Sequence, residues 1–258
     1  MTKLPAGALS KVPEVTLGFW IIKVLATTLG ETGGDSVTMS MGLGYAIGSF
    51  IFIGIFAAAV AAQILAKAFH PFLYWATIVA TTTLGTTMAD FADRSLGIGY
   101  SGGSSILLAG VIASLAVWHW SEGSISVTTV ATPRVEMFYW VTILFSQTLG
   151  TALGDWMADT NGLGYESGAA VFAAGLAVVA AAYLYTQISR TLLFWAAFVL
   201  TRPLGATLGD LLDKPHSHGG LEISRYVASA ILAAIIVALV LILPQRAGVH
   251  PGAREQRS

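Results

Sequence analysis

Apolar positions along the chain gather in eight runs, near residues 16–37, 44–66, 72–93, 104–120, 136–158, 166–188, 191–212 and 226–243. A helix needs about 20 mostly apolar residues to cross the hydrocarbon of a bilayer. The pattern therefore predicts an all-α membrane protein with eight transmembrane helices. The even-numbered runs are greasy throughout. The odd-numbered runs are broken by polar residues at helical spacing, and those interruptions repeat.

The first repeat reads Thr28-Leu29-Gly30-Glu31-Thr32-Gly33-Gly34-Asp35, and Thr83–Asp90, Thr148–Asp155 and Pro203–Asp210 are its counterparts. A Trp stands ten residues before the first Gly of each motif (Trp20, Trp75, Trp140, Trp195), and an Asp follows each Trp by fifteen. The repeat unit is thus a pair of helices, present four times. Because each unit crosses twice, all four run in the same direction, as parallel repeats. The chain divides into a segment 1–15, repeats 1 and 2 over 16–120, a linker at 121–135, repeats 3 and 4 over 136–243, and a tail from 244 to 258. The Gly-x-Gly before Tyr45, Tyr100 and Tyr165 predicts tight helical hairpins, and these Tyr residues read as an interfacial aromatic belt.

Counted from the first Gly, positions −3, +1 and +5 lie on one helix face. That column reads Thr27, Glu31, Asp35 in the first unit, with Lys23 one turn earlier. In the others it reads Thr82, Thr86, Asp90; Gln147, Thr151, Asp155; and Arg202, Ala206, Asp210. Beside it runs a small-x-x-x-small pattern (Gly30/Gly34, Gly85/Ala89, Gly150/Gly154, Gly205/Gly209), which lets helix backbones approach closely in a bilayer. A carboxylate facing lipid is costly. Odd helices at the centre, even helices at the periphery, and polar stripes pointing at one another are therefore expected. The repeated Asp residues, followed by Asp93, Asp159 and Asp213, predict an acidic vestibule at one end.

Composition agrees with a membrane protein. Hydrophobic residues make up 55%, charged residues 10%, and mean hydropathy is +0.73, against about 25% charged in soluble domains. Cys is absent, which removes disulfides and thiolate metal sites, and no basic stretch suggests a nucleic-acid partner. Lys3, Lys11, Lys67, Arg134, Arg190, Arg246, Arg254 and Arg257 fall on the side of the termini, and only Arg94, Lys214 and Arg225 on the other. The positive-inside tendency then puts both termini in the cytoplasm.

The tandem two-span units, each with its Trp and its Thr-Leu-Gly-x-x-x-Gly-Asp motif, resemble a bacterial family of multipass membrane proteins built from a repeat of unknown function. The resemblance covers roughly Gly18–Leu243 and implies the repeat architecture and a bacterial inner-membrane location, with no activity attached. The fourth unit departs from the pattern in Arg202-Pro203 and in lacking Gly-x-Gly-Tyr, the first in Lys23 and Glu31.

Convergent carboxylate, hydroxyl and amide oxygens without thiols suit a hard cation or protons. The leading expectation is a transporter for a divalent cation of the Mn²⁺ or Mg²⁺ type and not an enzyme. Ion-binding candidates are Glu31, Asp35, Asp90, Asp155, Asp210, Thr27, Thr82, Thr86, Gln147 and Thr151, with the five acids as metal ligands. Lys23 and Arg202 are candidates for gating or charge pairing, and an anionic or zwitterionic substrate using them stays open. A cation channel and a non-transporting scaffold, whose Gly/Asp motifs serve packing, are the alternatives. His216 and His218 read as solvated loop residues. The partners expected are the lipid bilayer, a small cation and, compatibly, a second copy in a homodimer.

Overall fold

The computed structural model describes residues 9–249. Eight helices run as four antiparallel pairs: α1 (Leu17–Asp35), α2 (Gly44–Leu65), α3 (Pro71–Asp90), α4 (Tyr100–Glu122), α5 (Pro133–Asp155), α6 (Gly164–Tyr185), α7 (Arg190–Asp213) and α8 (Arg225–Ile242). Five of them, α2, α4, α6, α7 and α8, are long and apolar enough to cross a membrane. The other three are odd helices that carry the polar stripe. That stripe lowers their hydropathy, and its residues face the interior of the bundle.

Local sequence explains the ends. Thr16, Thr132 and Ser189 cap α1, α5 and α7 by accepting from the backbone N–H three residues on. Pro71 and Pro133 sit in the first turn of α3 and α5, where a missing N–H costs nothing. Directly after the motif Asp, the first three units pass into a wide π-helical turn: Ser36–Ser40, Phe91–Ser95 and Trp156–Thr160. The hairpins then close on glycines with positive φ, among them Gly42 and Gly44 at 69° and 75°, a region that disfavours side chains.

The odd helices form a closed ring, α1 against α3, α3 against α5, α5 against α7 and α7 against α1. Each even helix packs mainly on the odd helix of the following unit: α2 on α3, α4 on α5, α6 on α7, and α8 back on α1. The small residues set this cyclic order. A Cβ at the first Gly of each motif would strike position −3 of the next unit: Gly30 meets Thr82, Gly85 meets Gln147, Gly150 meets Arg202 and Gly205 meets Thr27. At the second Gly the neighbour is position +1, Thr86 for Gly34, Ala206 for Gly154 and Glu31 for Gly209. Large residues of one helix thus seat in the glycine groove of its neighbour.

The ends of the bundle are closed differently. At the end carrying the repeated Trp residues, β1 (Leu9–Pro13) pairs antiparallel with β2 (Ala247–Val249). The Ser10 hydroxyl donates to the Val127 carbonyl at 2.7 Å, and the Lys11 N–H donates to the Val130 carbonyl. Lys11 Nζ also meets the buried Glu136 at 2.7 Å and the last carbonyls of α2. The connection between the two halves of the chain is therefore packed: Val127 and Val130 join the same apolar core as Trp75, Trp140 and Trp195. The Trp residues serve packing here, with Trp195 Nε1 donating to the Ile125 carbonyl at 3.0 Å.

Candidate functional site

The column faces of the four odd helices meet along the ring axis and stack in five layers, one residue per unit in each. From the Trp end these are Phe19/Tyr74/Tyr139/Phe194, Lys23/Ile78/Ile143/Phe198, Thr27/Thr82/Gln147/Arg202, Glu31/Thr86/Thr151/Ala206 and Asp35/Asp90/Asp155/Asp210, and every one of these side chains is buried. The axis is therefore aromatic at one end, acidic at the other and polar between.

The middle is crossed by Arg202. Its Nη2 reaches the Glu31 carboxylate at 2.9 Å and donates to the hydroxyls of Thr86 and Thr151. The Thr86 hydroxyl lies 3.3 Å from the same Glu31 oxygen. One guanidinium thus ties α7 to α1, α3 and α5. Ala206, one turn further along α7, is the small residue of its layer. Pro203, directly after Arg202, packs over Gly150 and Gly154 of α5. The departure of the fourth unit from the motif is what places this cation on the axis.

At the Asp end the acids are bridged in pairs. Arg94 meets Asp90 of its own unit at 3.0 Å and Asp155 of the next at 3.2 Å. Lys214 meets Asp210 of its own unit at 3.0 Å and Asp35 of the first at 2.6 Å. Arg225 completes the second cluster on Asp213 at 3.1 Å. Burial alone would lower the Lys214 ammonium, but Asp210, Asp35 and Asp213 outweigh it and hold the group well above the usual lysine range. The expected acidic vestibule is accordingly not open. The layer is buried and roofed by Arg94, Lys214 and Arg225, because carboxylates stacked this closely need counter-charge. The Asp159 side chain lies outside the described residues. Tyr45 and Tyr100, read from the sequence as an interfacial belt, turn their hydroxyls to accept from Arg94 at 3.3 and 3.2 Å.

Oxygen atoms of Glu31, Asp35 and Asp210 lie within 4.8 Å of one another, close enough to share a cation. Asp35 Oδ1 is buried without a hydrogen-bond partner. Of the remaining sequence candidates, Thr27, Thr82 and Gln147 sit level with Arg202 and Lys23 one turn nearer the Trp end. The Thr27 hydroxyl is committed to helix packing, donating to carbonyls that include Thr201 across the α1/α7 contact. Lys23 Nζ, Thr82 Oγ1 and both amide atoms of Gln147 are buried with no hydrogen-bond partner. His216 and His218 lie in the exposed loop beyond α7, away from the axis.

Sequence reasoning missed the roof. Its signal was present: the three basic residues on the Asp side, Arg94, Lys214 and Arg225, are the three that neutralise the acids. Arg94 and Lys214 moreover fall four residues after a motif Asp, on its own helical face.

Neither a curated relative nor a solved structure matches the chain. The family described as Repeat of Unknown Function (DUF347) matches four times in tandem, at residues 18–69, 73–124, 138–189 and 193–244. Those matches take in all eight helices and most of the sequence, and the chain belongs to that repeat family.

Proposed function

We propose that the protein is a bacterial inner-membrane carrier that moves a hard cation, divalent and of the Mn²⁺ or Mg²⁺ type, along the axis of its four odd helices. The observation that carries this reading is the charge count at the Asp end. Asp90 and Asp155 face one guanidinium, while Asp35, Asp210 and Asp213 face Lys214 and Arg225. One carboxylate stays in excess on each side. A surplus buried carboxylate is expensive unless a proton or a metal ion completes it. Glu31, Asp35 and Asp210 offer the oxygen ligands a hard cation prefers.

A carrier fits better than an open channel, because Arg202 spans the axis and aromatic rings fill the Trp end. Arg94 and Lys214 act as tethered cations that hold the acids when substrate is absent and must yield when it binds. With both termini in the cytoplasm, substrate meets the acid layer from the outer side. Passage inward then requires the Glu31–Arg202 pair to part and the aromatic layer to open. A scaffold role for the Gly/Asp motifs is the competing reading, favoured by how tightly the glycines serve packing.

The test is ⁵⁴Mn²⁺ and Mg²⁺ uptake by proteoliposomes with and without a proton gradient, using wild type, Glu31→Gln and Asp155→Asn. Saturable uptake that both substitutions depress supports the carrier. Uptake equal to that of empty liposomes for all three proteins, with the variants merely melting earlier, supports the scaffold.

A further inference from the structure

The polar groups level with Arg202 and one turn toward the Trp end differ in chemistry from the acid layer. Thr82 from α3, Gln147 from α5 and Arg202 from α7 stand at one level, and Lys23 from α1 lies one turn nearer the Trp end. All four are 0% exposed. Lys23 Nζ lies 4.2 Å from the Phe198 ring centroid. Among the described residues it has neither a hydrogen-bond acceptor nor a carboxylate within ion-pair distance. Thr82 Oγ1 and both ends of the Gln147 amide are likewise unpartnered. Arg202 spends only Nη2 on Glu31 and the two threonines, so Nε and Nη1 remain unused.

An unmet buried donor costs about 1–3 kcal/mol, and more when it is charged. Several of them within one turn of the axis call for a partner. Four of the unmet atoms are donors, the ammonium, two guanidinium nitrogens and the amide nitrogen; the Thr82 hydroxyl can donate or accept, and the Gln147 carbonyl accepts. Arg202 and Glu31 offset each other, so a small anion bound beside a protonated Lys23 leaves this half of the axis neutral. Water supplies hydrogen bonds alone, whereas an anion also supplies the counter-charge that a protonated Lys23 needs.

We propose that Lys23, Thr82, Gln147 and the free edge of Arg202 form a binding site for one small monovalent anion, a carboxylate group or an inorganic ion of similar size. Its sign follows from the donors, its valence from the one amine left over beside the Glu31–Arg202 pair and its small size from the complete burial of all four side chains. The Phe198 face beneath Lys23 holds the ammonium in place, and the aromatic layer separates the site from the Trp end.

Thermal unfolding of the detergent-purified protein tests this at constant ionic strength, with formate, acetate, nitrate and chloride titrated against the bulky gluconate ion. Wild type should gain several degrees in Tm with at least one small anion, since a ligand of the folded state stabilises by mass action. Lys23→Met and Gln147→Leu should each lose that anion-dependent gain, whatever their Tm in gluconate. Parallel melting of wild type in all anions overturns the site, as does a gain that survives in Lys23→Met. If Lys23→Met does not fold, the same comparison is made with Gln147→Leu. The readout is independent of divalent cations, so the anion site and the cation carrier can fail separately.

Discussion

Arg94 and Lys214 occupy the same place in their repeats, nine residues after the first motif Gly, and make the same two bonds. Each reaches back four residues to the Asp of its own unit and across to the Asp of the next, Asp155 for Arg94 and Asp35 for Lys214. The ring is therefore four-fold in its backbone packing but two-fold in its charges. Units two and four each bring a cation to a pair of acids that units one and three only help to form.

That equivalence makes Lys214 a resident competitor for the acid layer. Lys214→Gln removes the ammonium while keeping a donor. On the carrier reading its apparent Mn²⁺ affinity, read from the concentration dependence of Tm, should rise at least about tenfold, equivalent to about 1.4 kcal/mol. The variant should be less stable than wild type without metal, because Asp35 and Asp210 lose their shared partner. Unchanged or weaker Mn²⁺ dependence counts against a tethered-cation role.

The Glu31–Arg202 pair should show strong non-additivity. Removing one member of a buried pair costs about 3–5 kcal/mol because the other charge is stranded. Glu31→Gln and Arg202→Met should each lower stability by that order, the second also freeing the hydroxyls of Thr86 and Thr151. The double variant should regain a large part of the loss. Denaturant or thermal unfolding of the four proteins gives the coupling energy directly. Simple addition of the two single effects would mean the charges do not sense each other.

How much of this could be read from the sequence depends on which interaction sets each feature. Helix number, the pairing into repeats and the inward polar stripe come from local periodicity, and the chain displays them openly. The small residues announced close approach, because Gly30 and Gly34 have no other role on that face. The cyclic order in which α8 closes on α1 was not legible, since it depends on which groove each large residue enters. Neither was the ionic roof, although the spacing of Arg94 and Lys214 from Asp90 and Asp210 puts each on the face of its acid. The bond from Lys214 to Asp35 joins residues far apart in the chain and exists only once the ring has closed.

The hydroxyls of Tyr74 and Tyr139 lie 2.6 Å apart in the aromatic layer, both fully buried. Each is the other's partner across the α3/α5 contact. Tyr74→Phe or Tyr139→Phe alone should cost about 1–3 kcal/mol, because one hydroxyl is left unsatisfied. The double variant should be no worse than either single one, as two apolar rings replace a hydrogen-bonded pair of the same shape. If this layer is also the inner closure of the carrier, the double variant should exchange substrate faster across liposomes at unchanged stability.

Glycine packing offers the sharpest structural contrast. A Cβ on Gly205 would overlap the Thr27 side chain and crowd its backbone carbon, whereas Gly54 on α2 has open space around it. Gly205→Ala must push α7 away from α1, which in a packed core costs about 1–3 kcal/mol and sometimes more. Gly54→Ala should be neutral or stabilising by up to about 1 kcal/mol, from the better helix propensity of alanine. The displacement in Gly205→Ala also moves Arg202, three residues away on α7, from Glu31. Its loss of stability should therefore shrink when Glu31→Gln is already present, whereas Gly54→Ala should act identically in both backgrounds. Equal effects of Gly205→Ala with and without Glu31 would separate the glycine groove from the ion pair and leave it a packing device alone.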